Sequence, residues 1–157
     1  MKITLILSGK TDDNYIVKGF TMYEQRLKHY ISFESVVISA LKNTKALSIE
    51  QQKQKEGELI LKNILSSDRL ILLDENGKEY NSIGFSEFIQ QQMNSGIKNV
   101  VFAVGGPYGF SEDVYKRANG KISLSKMTFS HQMVRLFFVE QLYRAMTILK
   151  NEPYHHS

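Results

Sequence analysis

The 157-residue chain contains no cysteine. A disulfide framework, a thiolate zinc site and a cysteine nucleophile are therefore all excluded, and the composition fits a reducing cytosol better than a secreted setting. Proline occurs only at Pro107 and Pro153, and there is no Pro-rich linker, internal repeat or low-complexity tract. No apolar run approaches the ~18 residues of a membrane span, and the residues from Met1 to Gly9 lack the apolar length and cleavage site of a signal peptide. The four histidines show no H-E-x-x-H spacing, so no metal site is expected. There is also no G-x-S-x-G elbow and no P-loop.

What is present is enough for one compact domain spanning 1–157. Hydrophobic residues make up 42% and aromatic residues 11%, and at about 150 residues a domain buries ~68–70% of the surface its unfolded chain exposes. The net charge is +4, but its placement is uneven. From residue 114 onward Lys116, Arg117, Lys121, Lys126, Arg135, Arg144 and Lys150 are opposed only by Glu140 and Glu152. A cationic third of this kind suits a polyanionic partner.

Five short β-rich runs alternate with helix-sized segments: Met1–Ser8, Phe33–Ser39, Arg69–Asp74, Asn99–Val104 and a weaker Lys121–Ser125. Such alternation predicts an α/β fold, a parallel sheet flanked by helices. Asp13 is positioned to cap a helix whose Ile16, Phe20, Tyr23, Leu27 and Tyr30 follow the 3.6-residue period. Ser48 and Gln51 form a capping box ahead of a helix that is polar from Glu50 to Glu58, so its first half is expected in solvent. A third helix is expected over about Ser82–Asn94. The last, about Ser130–Lys150, is apolar on every side. Such a helix must be covered all round, by the sheet on one side and, on this reading, a second subunit on the other.

Ligands of open α/β sheets bind at the carboxyl ends of strands. Three of those ends stand out: Leu72 to Lys78, Val104 to Phe110, and Ser123 to Phe129. The loop Gly105-Gly106-Pro107-Tyr108-Gly109 permits close backbone approach, but its spacing is not a dinucleotide fingerprint. Asp74 reads equally as a ligand or a turn former. Arg135 and Arg144, on a nearly apolar helix, each need an anion or a carbonyl partner.

Several motifs together resemble the ribosomal large-subunit pseudouridine methyltransferase H family of the SPOUT (α/β-knot) superfamily. They are Leu72-Leu73-Asp74 with Gly77-Lys78, Phe102-Ala103-Val104-Gly105-Gly106-Pro107-x-Gly109, Ser123-Leu124-Ser125-x-Met127-Thr128, His131, Arg135, Glu140-Gln141-Leu142-Tyr143-Arg144-Ala145, and Pro153-Tyr154-His155. The resemblance runs the length of the chain. It implies a C-terminal trefoil knot, a homodimer, and S-adenosylmethionine as cofactor, held by loops that map to Leu73, Gly105, Gly106, Leu124, Ser125, Lys126, Met127, Thr128 and Phe129. The implied reaction is methylation of N3 of a pseudouridine in 23S rRNA on assembled cytoplasmic ribosomes. By motif position Arg144, Tyr154 and His155 are the implied catalytic residues, contributed across the dimer interface, and which of them takes a proton stays open. The family often carries an acidic residue where Tyr108 stands, so no carboxylate role transfers to that position. A sister SPOUT enzyme with another target base, a nonenzymatic ribosome-assembly protein and a flavodoxin-like nucleotide binder are the competing readings.

Overall fold

The computed structural model describes residues 1–156. Five strands, β1 (Lys2–Ser8), β2 (Ser32–Ile38), β3 (Arg69–Glu79), β4 (Asn99–Val104) and β5 (Gly120–Ser123), form one sheet in the order β2-β1-β4-β3-β5. Every pairing is parallel. Five α-helices connect or follow them: α1 (Asn14–Leu27), α2 (Ile49–Leu61), α3 (Ser82–Asn94), α4 (Glu112–Arg117) and α5 (His131–Leu149). None is long and apolar enough to cross a membrane.

The helices sort to the two faces by the direction of each crossover. The connections β1→β2 and β3→β4 run one way across the sheet and put α1 and α3 on one face; β2→β3 and β4→β5 run the other way and put α2 and α4 on the opposite face. A single crossover hand requires this. Central strands are consequently apolar on both sides. In β4, Val100, Phe102 and Val104 face the α1/α3/α5 layer, while Val101 and Ala103 face α2 and α4. Phe102 meets Phe138 of α5 at 4.8 Å between ring centroids, a contact whose loss to alanine would cost roughly 3–5 kcal/mol.

Local signals act where the residues place them. Ser48 and Gln51 make the reciprocal capping box of α2, and Ser130 caps α5 by accepting from the Met133 amide. Asp13 occupies the N-cap of α1 but its side chain makes no capping bond. At the end of α3, Gly96 supplies the left-handed φ of +81° that turns the chain into β4.

Two features depart from expectation. β3 does not stop at Asp74 but runs to Glu79, and it grips β5 twice: Ile122 is in register with both Leu73 and Lys78. Residues 74–77 arch out between these two pairings. A Cβ added at Gly77 would lie 2.6 Å from the backbone N and C of Ile122, so only glycine permits this crossing. β5 is correspondingly shorter than expected and ends at Ser123, which leaves Leu124 and Ser125 in the following loop.

The second departure concerns α5. It lies between α1 and α3 over the sheet, so neighbours within the same chain already cover much of its apolar surface. Arg135 is fully buried on it, 1% exposed. Its guanidinium donates to the carbonyls of Ser8 (2.6 Å) and Gly9 (2.8 Å) and to the Thr11 hydroxyl (3.1 Å). Burial pulls its pKa below the ordinary arginine value, with the charge of Asp12 opposing. Arg135 is thus a clamp on the carboxyl end of β1, and the partner its position demanded is backbone carbonyl.

Candidate functional site

A cavity of about 670 Å³ opens at the carboxyl ends of β3, β4 and β5. Three loops build it. The first is the arch of β3, shaped by the Asp74 carboxylate, which accepts the Asn76 amide at 2.8 Å. The second is the glycine loop after β4, closed on itself by the Gly109 amide donating to the Gly106 carbonyl at 3.2 Å. The third follows β5, where the Ser123 hydroxyl donates to the Ser125 carbonyl and the Ser125 hydroxyl accepts from the Met127 amide.

The cavity brings together Leu73, Gly105, Gly106, Leu124, Ser125, Met127, Thr128 and Phe129 from three distant stretches of sequence. Lys126 is placed apart from them. It turns to solvent beside Glu79 at 3.8 Å, at the turn that the Ser125 hydroxyl closes by accepting from the Met127 amide. Met127 is 76% exposed at the mouth.

The walls are mixed in a useful way. Val104, Leu124, Phe110 and Phe129 supply apolar surface, Ser125 and Thr128 supply hydroxyls, and Asp74 and Glu75 bring negative charge. Tyr115 of α4 ties the arch down by donating its hydroxyl to Asp74. Burial, and then this bond to Asp74, push the Tyr115 phenol up to about 12. A volume near 670 Å³ with apolar walls, a few directed polar groups and two carboxylates suits one small organic molecule carrying positive charge.

Arg144, Tyr154 and His155 form a second cluster on the outer side of α5. Arg144 donates to Glu140 at 2.6 Å and to Nδ1 of His155 at 3.2 Å, and lies over the Tyr154 ring at 4.7 Å. Tyr154 donates to the same Glu140 oxygen at 3.0 Å and meets the Tyr23 hydroxyl at 3.2 Å. Tyr23 and Tyr143 pack around it, with Arg26 over both rings. Within one chain this cluster does not line the cavity. From Val134, which does, to Arg144 is ten residues of helix, about 15 Å.

Arginine can only donate, so its contact makes Nδ1 of His155 the acceptor and leaves the imidazole proton on Nε2. Burial raises the Tyr154 phenol above its ordinary value, and its bonds to Tyr23 and Glu140 add to this, so it stays protonated. Glu140 is fully engaged, its other oxygen accepting from Gln141 at 3.0 Å. The Arg144 Nε is buried and meets no acceptor among the described residues. The cluster is therefore centred on the Glu140 carboxylate, which accepts from both Arg144 and Tyr154, with the Arg144 Nε–H left over as a donor among the described residues.

A family model described as "Predicted SPOUT methyltransferase" matches residues 1–155. The chain belongs to the SPOUT methyltransferase family. Among similar SPOUT proteins is one from Christiangramia forsetii named ribosomal RNA large subunit methyltransferase H, 63% identical over 99% of both chains. Proteins of the same name from Parabacteroides distasonis and Flavobacterium johnsoniae are 62% and 61% identical, again over 99% of both chains. The five-stranded parallel α/β architecture accords with this SPOUT membership.

Tyr115 of α4 and Glu56 of α2 went unread in the sequence. Glu56 of α2 accepts the Gly106 amide at 2.8 Å, although the polar first half of that helix was expected in solvent. Its neighbour Gly57 held the available signal. A helix-interior glycine costs about 1 kcal/mol against alanine, which points to a close approach, and a Cβ there would lie 2.4 Å from the Ser111 hydroxyl.

Proposed function

We propose that this chain transfers a methyl group from S-adenosylmethionine to N3 of a pseudouridine in 23S rRNA, acting as a homodimer on assembled ribosomes in the cytoplasm. The observation that carries the reading is the full-length likeness, at 63% identity, to a protein named for large-subunit rRNA methylation. The cavity supports it. Leu73, Gly105, Gly106 and the Leu124–Phe129 loop would hold the cofactor, with Asp74 and Glu75 favouring its positive charge. When bound, that cofactor supplies an electrophilic methyl on a sulfonium.

The reading includes the family's trefoil knot. In its favour, β5 is held at Ile122 by two separated parts of β3, with the Gly77 backbone lying across it.

The dimer makes sense of the distance between the two clusters. Residues on the outer side of α5, including the 38%-exposed Phe137, offer a self-complementary surface, and a two-fold axis there would bring the Arg144 cluster of one protomer toward the cavity of its partner. An N3 nucleophile must shed its proton and carries negative charge as it does so. The Arg144 guanidinium and the His155 N–H lower the energy of the N3 anion by preorganised electrostatics as its proton passes to solvent water, and Tyr154, whose O–H is held by Glu140, keeps the Arg144 guanidinium in place over its ring. Holding the base in line with the methyl supplies the rest by positioning. With Arg135 buried against β1, the exposed Lys116, Lys121, Lys126 and Lys150 of the cationic C-terminal third bind RNA phosphate, and the affinity falls as salt rises.

The test is methylation of ribosomes from cells lacking this modification, with the product nucleoside identified by mass spectrometry. N3-methylpseudouridine in 23S rRNA is expected. Methyl on another base would shift the assignment to a sister activity, and no methyl incorporation would refute it.

A further inference from the structure

Among the described residues, Glu56 is the one carboxylate that reaches the glycine loop from the face opposite the main cavity. α2 supplies no residue to the wall of that cavity; it lines instead a smaller one of about 360 Å³ on the other side of the loop, formed by Gln52, Lys53 and Glu56 with Gly106–Gly109. The loop is thus a partition, and Gly105 lines only the main side.

The Gly106 amide donates to Glu56 Oε1 at 2.8 Å, and the carboxylate lies so close that a Cβ on Gly106 would meet Oε2 at 2.5 Å. A trans peptide is planar, with its N–H and C=O pointing in opposite directions. Fixing the Gly106 N–H toward α2 therefore fixes the Gly105 C=O away from α2, on the side of the main cavity. Without Glu56, glycine on both sides of the peptide leaves the plane free to rotate, since neither residue has a Cβ to restrict φ and ψ.

The rest of α2 stabilises the same arrangement. Gly57 packs against Ser111, and Gln54 donates to Asp113 at 3.0 Å, so the helix holds the far end of the loop as well.

We infer that Glu56 is a positioning residue which sets the Gly105–Gly106 peptide plane, so that the Gly105 carbonyl meets an N–H donor of the cofactor. This rests on the cofactor reading above and adds to it a residue outside the cavity wall. The donor is either the adenine amine or the amino-acid ammonium, which are the two N–H groups such a molecule offers.

The experiment is calorimetric titration of the full chain with S-adenosylhomocysteine, in wild type, Glu56→Ala and Glu56→Gln. The Ala variant is expected to bind roughly 10-fold more weakly, as the loss of one directed hydrogen bond would give. Gln keeps an acceptor oxygen and is expected to stay within about twofold of wild type. In the ligand-free protein, amide exchange at Gly106 is expected to speed up in Ala but not in Gln. In methylation assays KM for the cofactor should rise in Ala by the same factor, with kcat at saturation far less affected, a split that general loosening of the fold would not produce. Titration with 5′-methylthioadenosine, which lacks the amino acid, separates the donors: a matching loss in Ala assigns the adenine amine, and an unchanged affinity assigns the ammonium. Wild-type affinity for S-adenosylhomocysteine in Glu56→Ala would overturn the inference while leaving the proposed function intact, as would a Gln variant as weak as Ala. Failure of the wild-type chain to bind would overturn both.

Discussion

Gly77→Ala is the most demanding single-methyl test of how β3 and β5 cross. The added Cβ would sit 2.6 Å from the Ile122 backbone N and C and 2.7 Å from the Lys121 carbonyl carbon. Ordinary contacts between such atoms lie near ~3.5–4.0 Å, so two backbones must separate by about 1 Å. No rotamer change can relieve this, because the obstructing atoms are main chain on both sides. Overpacking of this kind costs about 3 kcal/mol. For a domain of this length each kcal/mol lowers Tm by roughly 2–4 °C, which gives a fall of about 6–12 °C. Gly120→Ala is the matched control. It lies in β5, the strand that Gly77 of β3 crosses, but its Cβ would meet only the end of the Ile71 side chain at 3.3 Å, and its cost should stay below about 1 kcal/mol. Thermal unfolding followed by circular dichroism compares the two. Since residues 74–76 and 122–125 line the cavity, affinity for S-adenosylhomocysteine should also fall in Gly77→Ala alone. Equal melting temperatures for the two variants would refute the crossing geometry.

Other expectations follow from particular contacts. Arg144→Ala should leave S-adenosylhomocysteine affinity within about twofold of wild type, yet slow methyl transfer to ribosomes by about 100-fold; full activity would remove Arg144 from the mechanism. Arg135→Met keeps the apolar stem of the side chain but removes the guanidinium donors to the Ser8 and Gly9 carbonyls, so chemical denaturation should show a loss of about 3 kcal/mol. Tyr115 titrates near 12, above the ordinary tyrosine value of 10. Its folded pKa being the higher one, its contribution to stability is whole below pH 10 and fades as pH rises toward 12. Tyr30 and Tyr154 are raised as well, so the late absorbance change at 295 nm should lose the amplitude of one tyrosine in Tyr115→Phe, and a loss taken instead from the phase near pH 10 would contradict the bond to Asp74.

The strands and the α2 cap were legible because their causes are local. Ile3 to Leu7 and Val100 to Val104 are apolar runs that only a doubly covered sheet requires, and the capping box of Ser48 and Gln51 depends on residues three positions apart. The arch of β3 was not legible. Asp74-Glu75-Asn76-Gly77 has turn composition, and what returns Lys78 to the sheet is a strand more than forty residues later. Arg135 announced the need for a partner without naming it, since the carbonyls it binds belong to β1. Glu56 was hidden in a polar helix for the same reason, as its partner Gly106 lies fifty residues on. The cavity loops could be found as strand ends because parallel sheets collect their carboxyl ends on one edge. Arg144 stood out as an arginine on an apolar helix, whereas Tyr154 and His155 came only from family likeness, and the distance of this cluster from the cavity within one chain is what motivates the dimer.

Direct titration of the purified chain with S-adenosylhomocysteine, in parallel with Gly105→Asp, tests the central claim without any assumption about the RNA. The account predicts saturable binding at one site per chain, abolished in the variant, whose carboxylate would be placed against the ligand in the wall of the main cavity. Absence of binding at millimolar ligand, or binding that Gly105→Asp leaves unchanged, would contradict it.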